Sequence, residues 1–120
     1  MYVKFILPAL VEAHEKYWRA IKYSLFPPLG LATLAGYLET GDHAEIVDEH
    51  VEQLRIDDEP DLVAIETYVT SAYRAYKIAD TYRDRGIPVV LGGLHATACP
   101  EEAAQHSDSL ILGPAGEAWP

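Results

Sequence analysis

The chain has 120 residues, enough for one domain and too few for two of ordinary size, and 49% of them are apolar, so a core can be buried. A net charge of −10 and a pI near 4.7 argue against nucleic acid or an anionic membrane surface as partners. One cysteine, Cys99, allows no disulfide framework, no thiolate metal site and no iron–sulfur cluster held by this chain alone; with no membrane-length apolar run and no secretion signal over residues 1–11, a cytoplasmic protein is expected.

Tyr2-Val-Lys-Phe-Ile-Leu7 is a short β-prone run ended by Pro8. Residues 8–27 show no clean period and form a long loop, in which Tyr17, Trp18, Tyr23 and Phe26 argue against disorder. Leu31, Leu34, Ala35 and Leu38 share one helical face between Pro28 and Gly41. Ala44–Val47 is a strand, and residues 48–60 are polar and acidic with a turn over Asp57–Pro60. Asp61-Leu-Val-Ala-Ile65 is a continuous apolar run, as expected of a parallel strand covered on both faces. Ser71 opens a helix that puts Ala72, Ala75, Tyr76, Ala79 and Tyr82 on one side and ends at Gly86. Ile87–Leu91 is the next strand, broken by Gly92-Gly93; Pro100-Glu101-Glu102 starts a short helix, and Ser109–Leu112 is the last strand.

Five strands alternating with helices predict an α/β domain: a doubly wound, five-stranded parallel sheet in a flavodoxin-like or Rossmann-like three-layer sandwich. Such sheets bind ligands at the carboxyl ends of their strands. That directs attention to Leu7–Pro28, Glu66–Ser71, Gly92–Thr97 and Gly113–Glu117.

Gly92-Gly93 after a strand lets backbone approach a flat ligand closely, or simply makes a tight turn. His95 at the same end is placed to donate to a ligand, or is an ordinary surface histidine; Thr97 follows it. Thr67, Thr70 and Ser71 offer small hydroxyls to a heterocycle or phosphate, and Ser71 equally suits a helix N-cap. The chain lacks GxGxxG after its first strand and lacks GxxxxGK[ST], which excludes the usual dinucleotide and P-loop sites. Leu7-Pro8 in place of acidic residues argues against a phosphate-receiver domain, and the loop after it lacks the Ser, Thr and Gly cluster of a flavin-phosphate cradle.

Three blocks, in order and register, resemble the front of cobalamin-dependent radical S-adenosylmethionine proteins. They are Phe26-Pro-Pro-Leu-Gly-Leu-Ala-Thr-Leu-Ala-Gly-Tyr-Leu-Glu39 with Ile46-Val-Asp48, Val90-Leu-Gly-Gly-Leu-His-Ala-Thr-Ala-Cys-Pro-Glu-Glu-Ala103, and Ser107-Asp-Ser-Leu-Ile-Leu-Gly-Pro-Ala-Gly-Glu117. Pro114-Ala115 departs from the Gly-Glu repeat of the third block. The resemblance implies that residues 1–120 are a single cobalamin-binding domain, and the ending Gly116-Glu-Ala-Trp-Pro120 looks like a cut within a longer protein. It implies a following barrel with a three-cysteine motif for a 4Fe–4S cluster and S-adenosylmethionine. That motif is absent here, so this chain alone would hold the corrinoid for methyl transfer or related radical chemistry without performing the radical step.

On the same resemblance the corrin lies across the strand ends, touching Leu10, Thr67, Thr70, Ser71, Gly92, Gly93, His95, Thr97 and Gly113, with Leu10 and Trp18 keeping water from the lower face. Cobalt is expected without a protein ligand. His14, with Glu12 to orient it, is the residue to test, because Glu12-Ala-His14 lies in the loop after the first strand. Asp48-Glu-His50 mimics a cobalamin histidine motif but follows the second strand and ends in Gln53 in place of glycine. The alternatives are a flavodoxin-like domain binding FMN or another small ligand, and a cofactor-less interaction module.

Overall fold

The computed structural model describes residues 1–8, 34–36, 38–49, 54–68 and 71–111. In chain order they form β1 (Tyr2–Leu7), β2 (His43–Asp48), β3 (Leu62–Glu66), α1 (Ala72–Asp84), β4 (Val89–Gly92), α2 (Leu94–Ala98), α3 (Pro100–Ala104) and β5 (Ser109–Leu110). The strands make one sheet in the order β2-β1-β3-β4-β5, every neighbouring pair parallel. This is the flavodoxin-like order of a doubly wound α/β domain.

The alternation of each central strand divides the core into two layers. Ile6, Val63, Ile65, Val89 and Leu91 join Ala75, Tyr76, Ile78, Ala79 and Tyr82 of α1 on one face. Val3, Phe5, Leu7 and Ala64 meet Leu34 on the other, with Ala35 and Leu38 packed against them. Burial on both faces is why β1 and β3 are apolar almost throughout. The alanines of α1 let its axis approach the sheet, and Gly86 follows its C-cap with φ of +80°, the left-handed conformation that ends helices. The helix expected near residues 28–41 lies mostly outside the described residues, although Leu34 and Ala35 are helical.

One charge interrupts β1. Lys4 is fully buried, and its Nζ donates to Asp58 Oδ2 (2.5 Å), the Arg55 carbonyl (2.6 Å) and the Tyr82 hydroxyl (3.1 Å). Tyr82 in turn donates to Asp58 Oδ1 at 2.7 Å. Arg85 grips the carbonyls of Ile56 and Asp58. The acidic stretch before β3 is therefore a structural clasp at the amino end of the sheet, opposite the end where ligands bind. Burial alone would raise the Asp58 carboxyl, but the hydrogen bonds from Lys4 and Tyr82 hold it below the ordinary carboxylate range. Among the described residues no helix is long and apolar enough to cross a membrane.

Candidate functional site

The chain leaves β1 toward β2 on one side, and β3, β4 and β5 build outward on the other. This reversal opens a crevice at the carboxyl ends of β1 and β3, the place where doubly wound sheets bind ligands. Its described rim comprises Leu7-Pro8, Thr67-Tyr68 and Gly92-Gly93.

Thr67 is fully buried, and its hydroxyl donates to the Gly92 carbonyl at 2.6 Å while its amide donates to the same oxygen at 2.8 Å. Its own carbonyl accepts the His95 amide at 3.1 Å. Thr67 thus locks the end of β3 to the turn after β4. Gly93 sits in the same knot with φ of +97°, and a Cβ there would lie 2.6 Å from the Thr67 carbonyl oxygen and 2.9 Å from its nitrogen. The protein's own backbone requires this glycine. Gly92 differs: a Cβ would rest in ordinary contact with Ile111, 3.6 Å from its oxygen.

Ser71 stands at the N-cap of α1, yet its hydroxyl turns back to the Tyr68 amide and carbonyl (3.3 and 3.4 Å) and makes no cap bond. Thr97 is exposed and donates to the Gly93 carbonyl at 3.0 Å, one helical turn back. His95 points away from the strand ends: its Nε2 lies 3.2 Å from Glu102 Oε1 and its ring faces Tyr76. The structure therefore gathers Thr67, Ser71, Gly92, Gly93 and Thr97 around one end of the sheet. Leu10, Glu12, His14, Trp18, His50, Gln53, Thr70 and Gly113 lie outside the described residues.

Two features of this end stand apart from the residues singled out in the sequence. Tyr68 is partly exposed at the rim and donates to Glu66 Oε1 at 2.8 Å. Burial, the hydrogen bond to Glu66 and that carboxylate's charge push its pKa up to about 12, so it remains a neutral phenol. An exposed aromatic directly after a parallel strand was the available clue. Glu49, 1% exposed, receives a two-pronged ion pair from Arg74 (2.9 and 3.1 Å), tying the end of β2 to the first turns of α1. These partners lie 25 residues apart, beyond any spacing rule.

The rim residues Leu7, Pro8, Thr67, Tyr68, Gly92 and Gly93 carry no charge of their own, and the Glu66 carboxylate stands beside Tyr68. The fold and this end together define a ligand-holding domain of the doubly wound class. The chain belongs to the B12 binding domain family, which its residues 22–120 match. It is 42% identical over 92 residues to a bacteriochlorophyllide d C-8(2)-methyltransferase of Chlorobaculum tepidum, a match covering 76% of this chain and 20% of that protein. It is 37% identical over 59 residues to the C-12(1)-methyltransferase of the same organism, covering 49% of this chain and 13% of the relative. An uncharacterised methyltransferase of Pyrococcus horikoshii is 34% identical over 85 residues, covering 62% of this chain and 18% of the relative. The chain thus spans about a fifth or less of the length of these curated relatives. No solved structure matches.

Proposed function

We propose that this chain is the cobalamin-holding part of a cytoplasmic radical S-adenosylmethionine enzyme that transfers a methyl group, working with a barrel domain that holds a 4Fe–4S cluster and S-adenosylmethionine. The membership of residues 22–120 in the B12 binding family carries the corrinoid half of this reading. The three motif blocks and the relatives named as methyltransferases support the catalytic half.

When bound, the corrinoid supplies a methyl carrier. The protein's own contribution is positional. The Thr67–Gly92–Gly93–His95 knot fixes the turn after β4, and Gly92 and Gly93 would present backbone to the cofactor there. Since Thr67 spends its hydroxyl inside the knot, we assign it to shaping the site, whereas Ser71, Thr70, Thr97 and Gly113 remain candidates for direct contact. Tyr68 adds a neutral aromatic edge, and Leu10 and His14 would border the cofactor, with Leu10 excluding water.

Two experiments separate the halves. With hydroxocobalamin bound, His14→Ala should leave the visible spectrum unchanged; a shifted spectrum would make His14 the cobalt ligand. The longer protein carrying this chain, reconstituted anaerobically with iron and sulfide, should hold a cluster on three cysteines outside this chain and cleave S-adenosylmethionine. A corrinoid-loaded protein without such a cluster would contradict the radical partner and leave the corrinoid reading intact.

A further inference from the structure

The lone cysteine argued against a thiolate metal site, yet the fold gives Cys99 two ligands of other types. Cys99 joins α2 to α3, with His95 one turn before it and Glu102 one turn after. Pro100 disfavours helical geometry at the preceding residue, and Cys99 adopts φ −127° and ψ 61°. The break folds the His-x3-Cys-x2-Glu run back on itself, with the Cys99 amide bonded to the His95 carbonyl at 2.8 Å and the Ala103 amide to the Cys99 carbonyl at 3.1 Å. One ligand atom from each of His95, Cys99 and Glu102 lies within 4.8 Å of the others. The His95 side chain is 11% exposed and that of Glu102 is 50% exposed, so one arm is fixed and another is free to adjust.

A second observation points into the same place. Tyr76 is buried, 5% exposed, and its hydroxyl stands against the Glu102 carboxylate. Its ring centroid lies 6.2 Å from that of His95, so Tyr76 borders both the His95 and the Glu102 arms of the cluster. His106 stacks on the Tyr76 ring at 4.3 Å but is bound to Asp80, so it stands outside the cluster.

We propose that His95 Nε2, the Cys99 thiolate and a Glu102 carboxylate oxygen bind Zn2+, with a water in the fourth position. Imidazole, thiolate and carboxylate suit a borderline-soft ion; Ca2+ and Mg2+ prefer oxygen alone. Tetrahedral Zn2+ sets neighbouring ligand atoms roughly 3.3–3.6 Å apart, a closure within reach of the exposed Glu102 arm. On binding, the Cys99 S–H proton leaves to solvent as the Zn–S bond forms, with no change in oxidation state. The ion would clamp α2 to α3 and stiffen His95, whose amide holds the Thr67 knot at the strand ends. Zn2+ binding at these three side chains requires no corrinoid.

The test is titration of the corrinoid-free chain with Co2+ as a spectroscopic stand-in, then displacement by Zn2+. One equivalent should bind with a sulfur-to-cobalt charge-transfer band, and Zn2+ should slow alkylation of Cys99. Cys99→Ser should abolish the band. His95→Ala, and Glu102→Gln at an exposed position that leaves the fold intact, should each weaken Zn2+ binding roughly tenfold or more. Absence of the thiolate band in the parent chain, Zn2+ affinity unchanged by Glu102→Gln or Cys99→Ser, or alkylation unaffected by Zn2+ would each overturn the proposal.

Discussion

Gly93→Ala should destabilise the chain by roughly 3–5 kcal/mol, a large part of the about 5–15 kcal/mol that holds a domain of this size together. Two costs act together. The backbone at Gly93, φ +97° and ψ −178°, belongs to a region that residues with a Cβ avoid. The added methyl would also sit 2.6 Å from a backbone oxygen, and Thr67 cannot retreat without surrendering its bonds to Gly92 and His95. Gly92→Ala is the control: its Cβ meets Ile111 at ordinary contact distance, so stability should change by less than about 1 kcal/mol. Urea unfolding of the two variants checks this, and equal losses would refute the assignment of Gly93 to the knot.

The second large effect lies at the opposite end of the sheet. Asp58→Ala should cost about 3 kcal/mol, because it leaves the Lys4 ammonium buried without its carboxylate. Adding Lys4→Met to that variant should restore part of the loss, since an apolar side chain needs no partner. The pH dependence follows from the direction of the shift. Asp58 has a folded pKa below its ordinary value, so it contributes stability above the ordinary carboxyl range and loses it as pH falls through the lowered folded value. Stability measured from pH 7 into that acid range should therefore fall more steeply in the parent chain than in Asp58→Asn. Equal slopes would mean that the Lys4–Asp58 pair is not coupled to folding.

Much of the fold was legible in local pattern. The apolar run Tyr2–Leu7 is β1 to the residue, and the alanine and tyrosine spacing of α1 places all five expected side chains in the core. Gly86 ends α1 and Pro100 starts α3 as their conformational preferences dictate. The other strands shift by one or two residues at their ends, where pairing decides the boundary. β5 covers only Ser109–Leu110, and Leu112 lies outside the described residues.

α2 was not anticipated. Its five residues follow two glycines, contain Thr97 and end against a proline, and it stands on bonds such as His95 to Thr67 that no local window contains. The same reason hid Lys4–Asp58 and Glu49–Arg74, pairs joined only when distant segments pack. The strand-end rule directed attention to Thr67, Ser71, Gly92, Gly93 and Thr97, which the fold gathers at one end of the sheet. It did not tell which polar atoms the protein consumes internally. Thr67 uses its hydroxyl on Gly92, Ser71 turns back to Tyr68, and His95 faces Tyr76 and Glu102 instead of the crevice.

The most direct test of the corrinoid assignment is to mix the chain with hydroxocobalamin, desalt it and record the visible spectrum. Colour retained at about one corrinoid per chain, and lost in Gly93→Ala under conditions where that variant is still folded, is the predicted result. No colour retained by this chain, nor by a longer protein that includes it, would contradict the assignment.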